Sequence, residues 1–262
     1  MESKTILEVK NAGIQFGGLK AVQNLNLKLN QGELVGLIGP NGAGKTTSFN
    51  LLTGVYVPTE GDILFNGERI NGLAPFKVTR KGISRTFQNI RLFNELSVLD
   101  NVKVAYHSLA THTMLSSILR LPSHYKGEKE MEEKSLEFLE IFKLEKYKDE
   151  LAKNLPYGQQ RRLEIARALA AGPQLLLLDE PAAGMNPQET HDLMNLIGFV
   201  REKFDLTILL IEHDMNLVMG VCERIYVLDH GQLLAEGSPE EIRNHPKVIE
   251  AYLGEEVHDD NA

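Results

Sequence analysis

The stretch from Gly39 to Thr47, GPNGAGKTT, constrains this chain more than any other feature. Gly39, Gly44, Lys45 and Thr46 keep the spacing G-x-x-x-x-G-K-T, directly after the apolar run LVGLI at 34–38 and before a helix-like segment ending near Gly54. Glycines let the backbone wrap a phosphate chain with its N–H groups turned inward. Lys45 brings a mobile positive charge to the terminal phosphates, the Thr46 hydroxyl is a ligand for Mg2+, and the helix N-terminus adds partial positive charge. Pro40, Asn41, Gly42, Ala43 and Thr47 complete the candidate cradle. A flexible glycine turn with a surface lysine is the plainer alternative. Strand, loop and helix in the required order favour the phosphate reading.

A strand before the loop and a helix after it ask for an α/β fold. Two further apolar runs, LLLL at 175–178 and TILLI at 207–211, are each followed by polar residues and helical periodicity. Buried strands alternating with helices predict a mostly parallel sheet covered on both faces. A second pattern lies nearer the N-terminus. NLNLKLN at 24–30 alternates strictly, with Leu25, Leu27 and Leu29 on one face, as a half-buried strand does. ILEVK at 6–10 reads as its neighbour, and DILFNGERI at 62–70 as a strand entering an Asn66-Gly67 turn. These predict a small antiparallel sheet.

Strand signals vanish between about 90 and 172. Residues 126–150 are dense in helix formers, with Phe138, Ile141, Phe142 and Glu145 at helical spacing, and Gly172-Pro173 stops a helix that begins near Gly158. The expected organisation is one domain over 1–262. A nucleotide-binding core from 1–90 and 173–262 includes the antiparallel part, and a helical subdomain is inserted at 91–172. The tail EEVHDDNA is expected to fray.

Composition narrows the partners. With 28 basic and 36 acidic residues the net charge is −8, which disfavours nucleic acid. The single Cys222 excludes an intrachain disulfide framework and suits a reducing compartment. No apolar run approaches the roughly 18 residues of a membrane span, and the N-terminus lacks a signal-peptide run. A cytosolic chain is expected, brought to a membrane only by a partner.

The remaining candidate chemistry sits at strand ends. Asp179 and Glu180 follow LLLL, where parallel sheets place their ligands. Asp179 is read as holding the Mg2+ shell and Glu180 as accepting a proton from the attacking water. The plainer reading is a strand end meeting solvent, with Pro181 as its stop. Gln88 in SRTFQNI is a candidate for the metal or the water, although an isolated loop glutamine is ordinarily just solvated. His213 in IEHD is placed to hydrogen-bond a γ-phosphate oxygen, while Asp214 suits an N-cap of the next helix.

Together these pieces resemble the ATP-binding-cassette ATPases, over nearly the whole chain and in the family's order. The resemblance implies a P-loop NTPase fold, ATP and Mg2+ as cofactors, and ATP hydrolysis. It also places Phe16 where the family stacks an aromatic on adenine, and AAGMN at 182–186 on the loop linking two sites. NLPYGQ at 154–159 falls on the signature loop, so Leu155, Pro156, Tyr157, Gly158 and Gln159 would act in trans on a partner's ATP in a head-to-tail dimer. This chain departs from Leu-Ser-Gly-Gly-Gln at Pro156 and Tyr157. Proline removes an N–H and lacks the serine hydroxyl, which leaves Gly158, Gln159 and the helix terminus to supply positive potential. Asn186 replaces the usual Asp of the linking loop.

YGQQRRLEIARAL, LDEPAAGMNP, FGGLKAV at 16–22 and the ending 237–256 resemble more narrowly the ATPase subunits of branched-chain amino-acid importers. That implies a second ATPase chain, a paralogue or self, and two integral-membrane permease subunits. It further implies a periplasmic or extracellular solute-binding protein and a place on the cytoplasmic face of the inner membrane. An ATPase for urea, an amide or a lipid, a soluble cassette protein and a non-catalytic scaffold are the rival readings. The segment 110–125, with Met114, Leu115, Ile118 and Leu119, reads either as subdomain core or as a surface for a membrane subunit.

Overall fold

Residues 4–106 and 122–259 are described by the computed structural model, and their strands form two sheets. Strands β1 (Thr5–Phe16) and β2 (Leu19–Asn30) open the first sheet, and β3 (Leu34–Ile38) leaves it for the second. β4 (Glu60–Phe65) and β5 (Glu68–Arg69) return to complete an antiparallel order β2-β1-β4-β5. Along β2 Leu25, Leu27 and Leu29 are buried while Asn24, Asn26 and Lys28 are exposed, as the alternation requires. Asn66 and Gly67, at φ 50° and 79°, make the turn between β4 and β5. β1 extends well past ILEVK, bending through register shifts around Ala12 and Ile14.

The second sheet adds β6 (Ile83–Arg85), β7 (Leu175–Asp179), β8 (Thr207–Ile211), β9 (Arg224–Asp229) and β10 (Gln232–Gly237), in the order β10-β9-β3-β8-β7-β6. It is parallel except for β10, which pairs antiparallel with β9. Every residue of β3, β7 and β8 is buried, which is why these strands read as continuous apolar runs. Their alternate side chains feed two cores. Leu34, Ile38, Leu176, Leu178, Ile208 and Leu210 join one, while Val35, Leu37, Leu175, Leu177, Leu209 and Ile211 join the other. Each such side chain contributes roughly 1.5–3 kcal/mol on burial.

Nine helices are described: α1 (Lys45–Leu52), α2 (Pro75–Arg80), α3 (Val98–Tyr106), α4 (Pro122–Ile141), α5 (Tyr157–Ala170), α6 (Pro187–Phe204), α7 (Met215–Val221), α8 (Pro239–Arg243) and α9 (Pro246–Asp259). Among these described residues no helix is long and apolar enough to cross a membrane. Helices α3 to α5 stand between β6 and β7 in the chain. Their Val102, Leu139 and Leu163, with Phe142 just past α4, share the first core with β7 and β8.

Several boundaries differ from the sequence reading. The stretch 126–150 is not one helix. α4 ends at Ile141 because Lys143 turns left-handed at φ 57°, and the amides of Leu144 and Lys143 bond back to Leu139 and Glu140. Leu144 is thereby buried and Glu145 begins a separate 3-10 turn. α5 begins one residue before Gly158, with Pro156 as N-cap at φ −55°. Asn186 caps α6 in a reciprocal pair, accepting from the Glu189 N–H at 2.9 Å while its own N–H donates back at 3.0 Å. The helix α9 continues to Asp259, through much of the tail expected to fray. Met114, Leu115, Ile118 and Leu119 lie outside the described residues.

Candidate nucleotide site

The glycine loop is built between β3 and α1. Gly39, Gly42 and Gly44 have φ values of 149°, 76° and 97°. A Cβ on Gly39 would lie 2.0 Å from the Leu228 carbonyl oxygen, and one on Gly44 2.8 Å from that of Ala21, so packing as well as φ demands glycine. The β9–β10 turn buttresses the loop: the Gly231 N–H donates to Ala43 O at 3.0 Å, and Gln23 N–H to Gly231 O at 2.7 Å. Lys45 is buried, its ammonium donating to the carbonyls of Pro40, at 2.8 Å, and Gly39. A cavity of about 580 Å³ opens over this loop, lined by Asn41 to Thr47 together with Leu19, Lys20, Ala21, Gln23, Gln88, Glu180, His213 and His230.

Three of the sequence candidates from separate elements converge there. Glu180 follows β7 at φ 46°, a left-handed conformation that costs a non-glycine residue on the order of 1–3 kcal/mol. Its N–H donates to Ile211 O at 2.9 Å, which continues the β7–β8 pairing by one step. Gln88 Nε2 donates to Glu180 Oε2 at 2.9 Å, and His213 Nε2 lies 2.6 Å from Glu180 Oε1. The carboxylate is therefore gripped at both oxygens. Asp214, next in the chain, caps α7 by accepting from the amides of Asn216 and Leu217.

Asp179 has a different environment. It is buried against Arg85, whose Nη2 donates to Asp179 Oδ2 at 2.7 Å and whose Nη1 donates to Asn50 Oδ1 at 2.7 Å. The guanidinium also faces the rings of Phe49 and Phe87 at 5.4 and 5.0 Å. Phe16 is outside the cavity lining. It stands half-exposed and edge-on to Tyr56, while its cross-strand partner Leu19 lines the cavity. Among the described residues no three His, Cys, Asp or Glu side chains form an all-protein cation site. Thr46 and Gln88 line the cavity where an ion held jointly with nucleotide phosphates would sit, as Mg2+ is, whereas Asp179 is outside that lining and its Oδ2 is taken by Arg85.

Leu155 to Gln159 stand apart from this cavity. Leu155 is buried and anchors the turn, accepting from Gln160 Nε2 at 2.8 Å. The Pro156 carbonyl accepts from the amides of Gln159 and Gln160, and α5 begins with no side-chain cap. Tyr157 is half-exposed, with its ring 3.5 Å from where a Cβ on Gly184 would sit, so it leans on the 182–186 loop.

Two of the charged residues that were not singled out in the sequence bear directly on the acidic pair and His213. Arg85 is one. Glu212 is the other: it is buried, and accepts from the Ala182 N–H at 2.8 Å and the His213 N–H at 3.3 Å. Burial pushes its carboxyl above the usual range, against the two N–H donors, with the Glu180 charge adding to the rise. Its signal was position, an acid beside His213 at the end of a fully buried strand.

The profile of the family described as ABC transporter matches residues 22–183, more than half of the sequence. The chain belongs to the ABC transporter family. The match spans the glycine loop, Gln88, the start of α5 and the 179–180 pair. A second profile, described as branched-chain amino acid ATP-binding cassette transporter, matches residues 232–258 of this ABC chain. The high-affinity branched-chain amino acid transport ATP-binding protein BraF of Pseudomonas aeruginosa is 49% identical over 253 residues, 97% of this chain and 99% of that protein. An ATP-binding cassette of an ABC transporter, solved in its ADP conformation, matches with a TM-score of 0.83 and 34% identity over 96% of this chain and 100% of that one. A dimeric cassette in a post-hydrolysis state, bound to ADP and Pi, matches with a TM-score of 0.76 and 28% identity over 89% of this chain and 99% of that one.

Proposed function

We propose that this chain is the ATP-hydrolysing subunit of a membrane importer for branched-chain amino acids. The observation that carries the catalytic part is the clasp of Gln88 and His213 on the two oxygens of Glu180, at the mouth of the glycine-loop cavity. Glu180 takes a proton from water as its oxygen bonds to the γ-phosphorus, and the bond to the β-phosphate oxygen breaks to release ADP. Lys45 and the loop amides supply positive charge to the phosphates, and Gln88 and His213 hold the carboxylate in aim. Thr46, Gln88 and Asp179 are the residues that would hold Mg2+, which would supply positive charge against the phosphates when bound. Phe16, paired across the strands with the cavity-lining Leu19, takes the adenine ring.

Specificity for branched-chain solutes is supported by the 49% identity to BraF and the match over 232–258. The solute itself is selected by partner subunits. In this reading the core is 1–90 with 173–262, and the helical insertion 91–172 carries Leu155 to Gln159 to a second ATPase chain. Support comes from the position of those residues away from their own cavity, the uncapped start of α5 and the dimeric relative. Two permease subunits and, through them, an external solute-binding protein complete the assembly, with this chain on the cytoplasmic face.

Glu180→Gln tests the reading. In the complex purified from membranes, it should keep ATP affinity within about twofold and lose at least about 100-fold in kcat. Near-normal turnover would remove Glu180 from its role. Uptake of labelled leucine but not urea into vesicles bearing the complex tests the solute.

A further inference from the structure

From Thr86 to Leu96 the chain that carries Gln88 forms neither helix nor strand, so its backbone groups need partners from elsewhere. Helix α5 provides them for Phe87, Gln88 and Arg91. Arg161 is fully buried, and its Nη1 donates to the Phe87 carbonyl at 2.7 Å and to Glu164 Oε2 at 2.8 Å. Its Nη2 donates to the Gln88 carbonyl at 2.7 Å and to the Tyr157 hydroxyl at 3.3 Å. Glu164, also buried, accepts the Arg91 N–H at 3.0 Å, and Arg167 donates to the Arg91 carbonyl. These three charged residues recur at every third position on one helix face, and all point at one irregular loop.

A guanidinium sealed from water is costly unless its donors find partners; here the two Nη groups meet two consecutive loop carbonyls, Glu164 and Tyr157, while the buried Nε has no hydrogen-bond partner among the described residues. Only a planar fork holds both at once; an ammonium cannot reproduce it. The backbone of Gln88 is thus fixed on one side by Arg161, while its side chain reaches Glu180 on the other. The same guanidinium holds Tyr157, the first residue of α5.

We propose that Arg161, seated by Glu164 and assisted by Arg167, is a positioning residue of the ATPase site. It sets the 87–91 backbone so that Gln88 meets Glu180. This inference rests on the site reading above for Gln88 and Glu180.

The test is a double-mutant cycle in the assembled complex, with Arg161→Lys, Gln88→Ala and the pair, plus hydrogen exchange of the 87–91 amides. Arg161→Lys should lower kcat about tenfold with KM for ATP within twofold, and should speed exchange at 87–91 about tenfold or more. In the Gln88→Ala background it should change kcat less than twofold. Multiplicative kcat effects, or unchanged exchange, would overturn the proposal. If Arg161→Lys does not fold, Glu164→Gln carries the same expectations with the exchange read at Arg91. If Gln88→Ala alone leaves kcat intact, the site reading fails for Gln88, and exchange at 87–91 still judges the anchor by itself.

Discussion

Removing Arg85 exposes how much depends on one buried ion pair. Arg85→Met leaves the Asp179 carboxylate without its partner at 2.7 Å, in a place where the two side chains are only 6% and 3% exposed. It also removes the bond to Asn50 and the contacts with Phe49 and Phe87. Breaking a buried pair from one side costs about 3–5 kcal/mol, against about 0–1 kcal/mol for a solvent-exposed pair. In a chain of this size each kcal/mol moves Tm by roughly 2–4 °C, so a fall of roughly 10 °C is expected. Thermal denaturation followed by circular dichroism reads it directly. The double variant Arg85→Met with Asp179→Asn removes the orphaned charge and should recover at least about half of the loss. The reasoning is refuted if Arg85→Met costs less than about 2 °C, or if the double variant is no more stable than the single one.

Two further expectations follow from buried titratable groups. The raised Glu212 carboxyl binds its proton more tightly in the folded chain than at its ordinary value of 4.5. Its contribution to stability is therefore full below about pH 4.5 and is lost as pH rises through the folded value. The stability of the wild type relative to Glu212→Gln should fall across that interval in denaturant titrations; a flat or rising difference contradicts the assignment. The Cys222 thiol is buried and pushed up to about 12 by burial, with the Glu223 charge adding to the rise. It should resist maleimide in the native protein at pH 7.5 and react in denaturant, and rapid native labelling would show the α7 end to be open.

The chain announced its sheets and its phosphate loop because those features are local. A run of apolar residues, a strict alternation or a glycine spacing is complete within a dozen positions. β6 escaped because three residues carry no period, although it places Arg85 and leads into Gln88. β9 and β10 were also missed, yet Asp229-His230-Gly231, with φ values of 45° and 77° at its last two residues, is a turn that their pairing needs. The site divided in the same way. Glu180 and His213 were visible at the ends of apolar runs and Gln88 only as a loop residue, and the structure brings the three together. Arg85 with Asp179 and Arg161 with the Phe87 carbonyl were not legible, because partners 94 and 74 positions apart leave no mark on either neighbourhood. The α4 terminus failed for a subtler reason: Lys143 is an ordinary helix former, and only the fit of Leu144 into the core makes its left-handed turn worthwhile.

The parallel sheet is a partition whose adjacent residues face opposite rooms. Leu177 looks toward Phe49 and the antiparallel strands, while Leu178 looks toward Leu163 and the long helices. Packing defects introduced at neighbouring positions should consequently be felt on opposite sides, one under the glycine loop and the other among helices α3 to α5. The carboxyl rim of those strands is where Gln88 and His213 each meet Glu180.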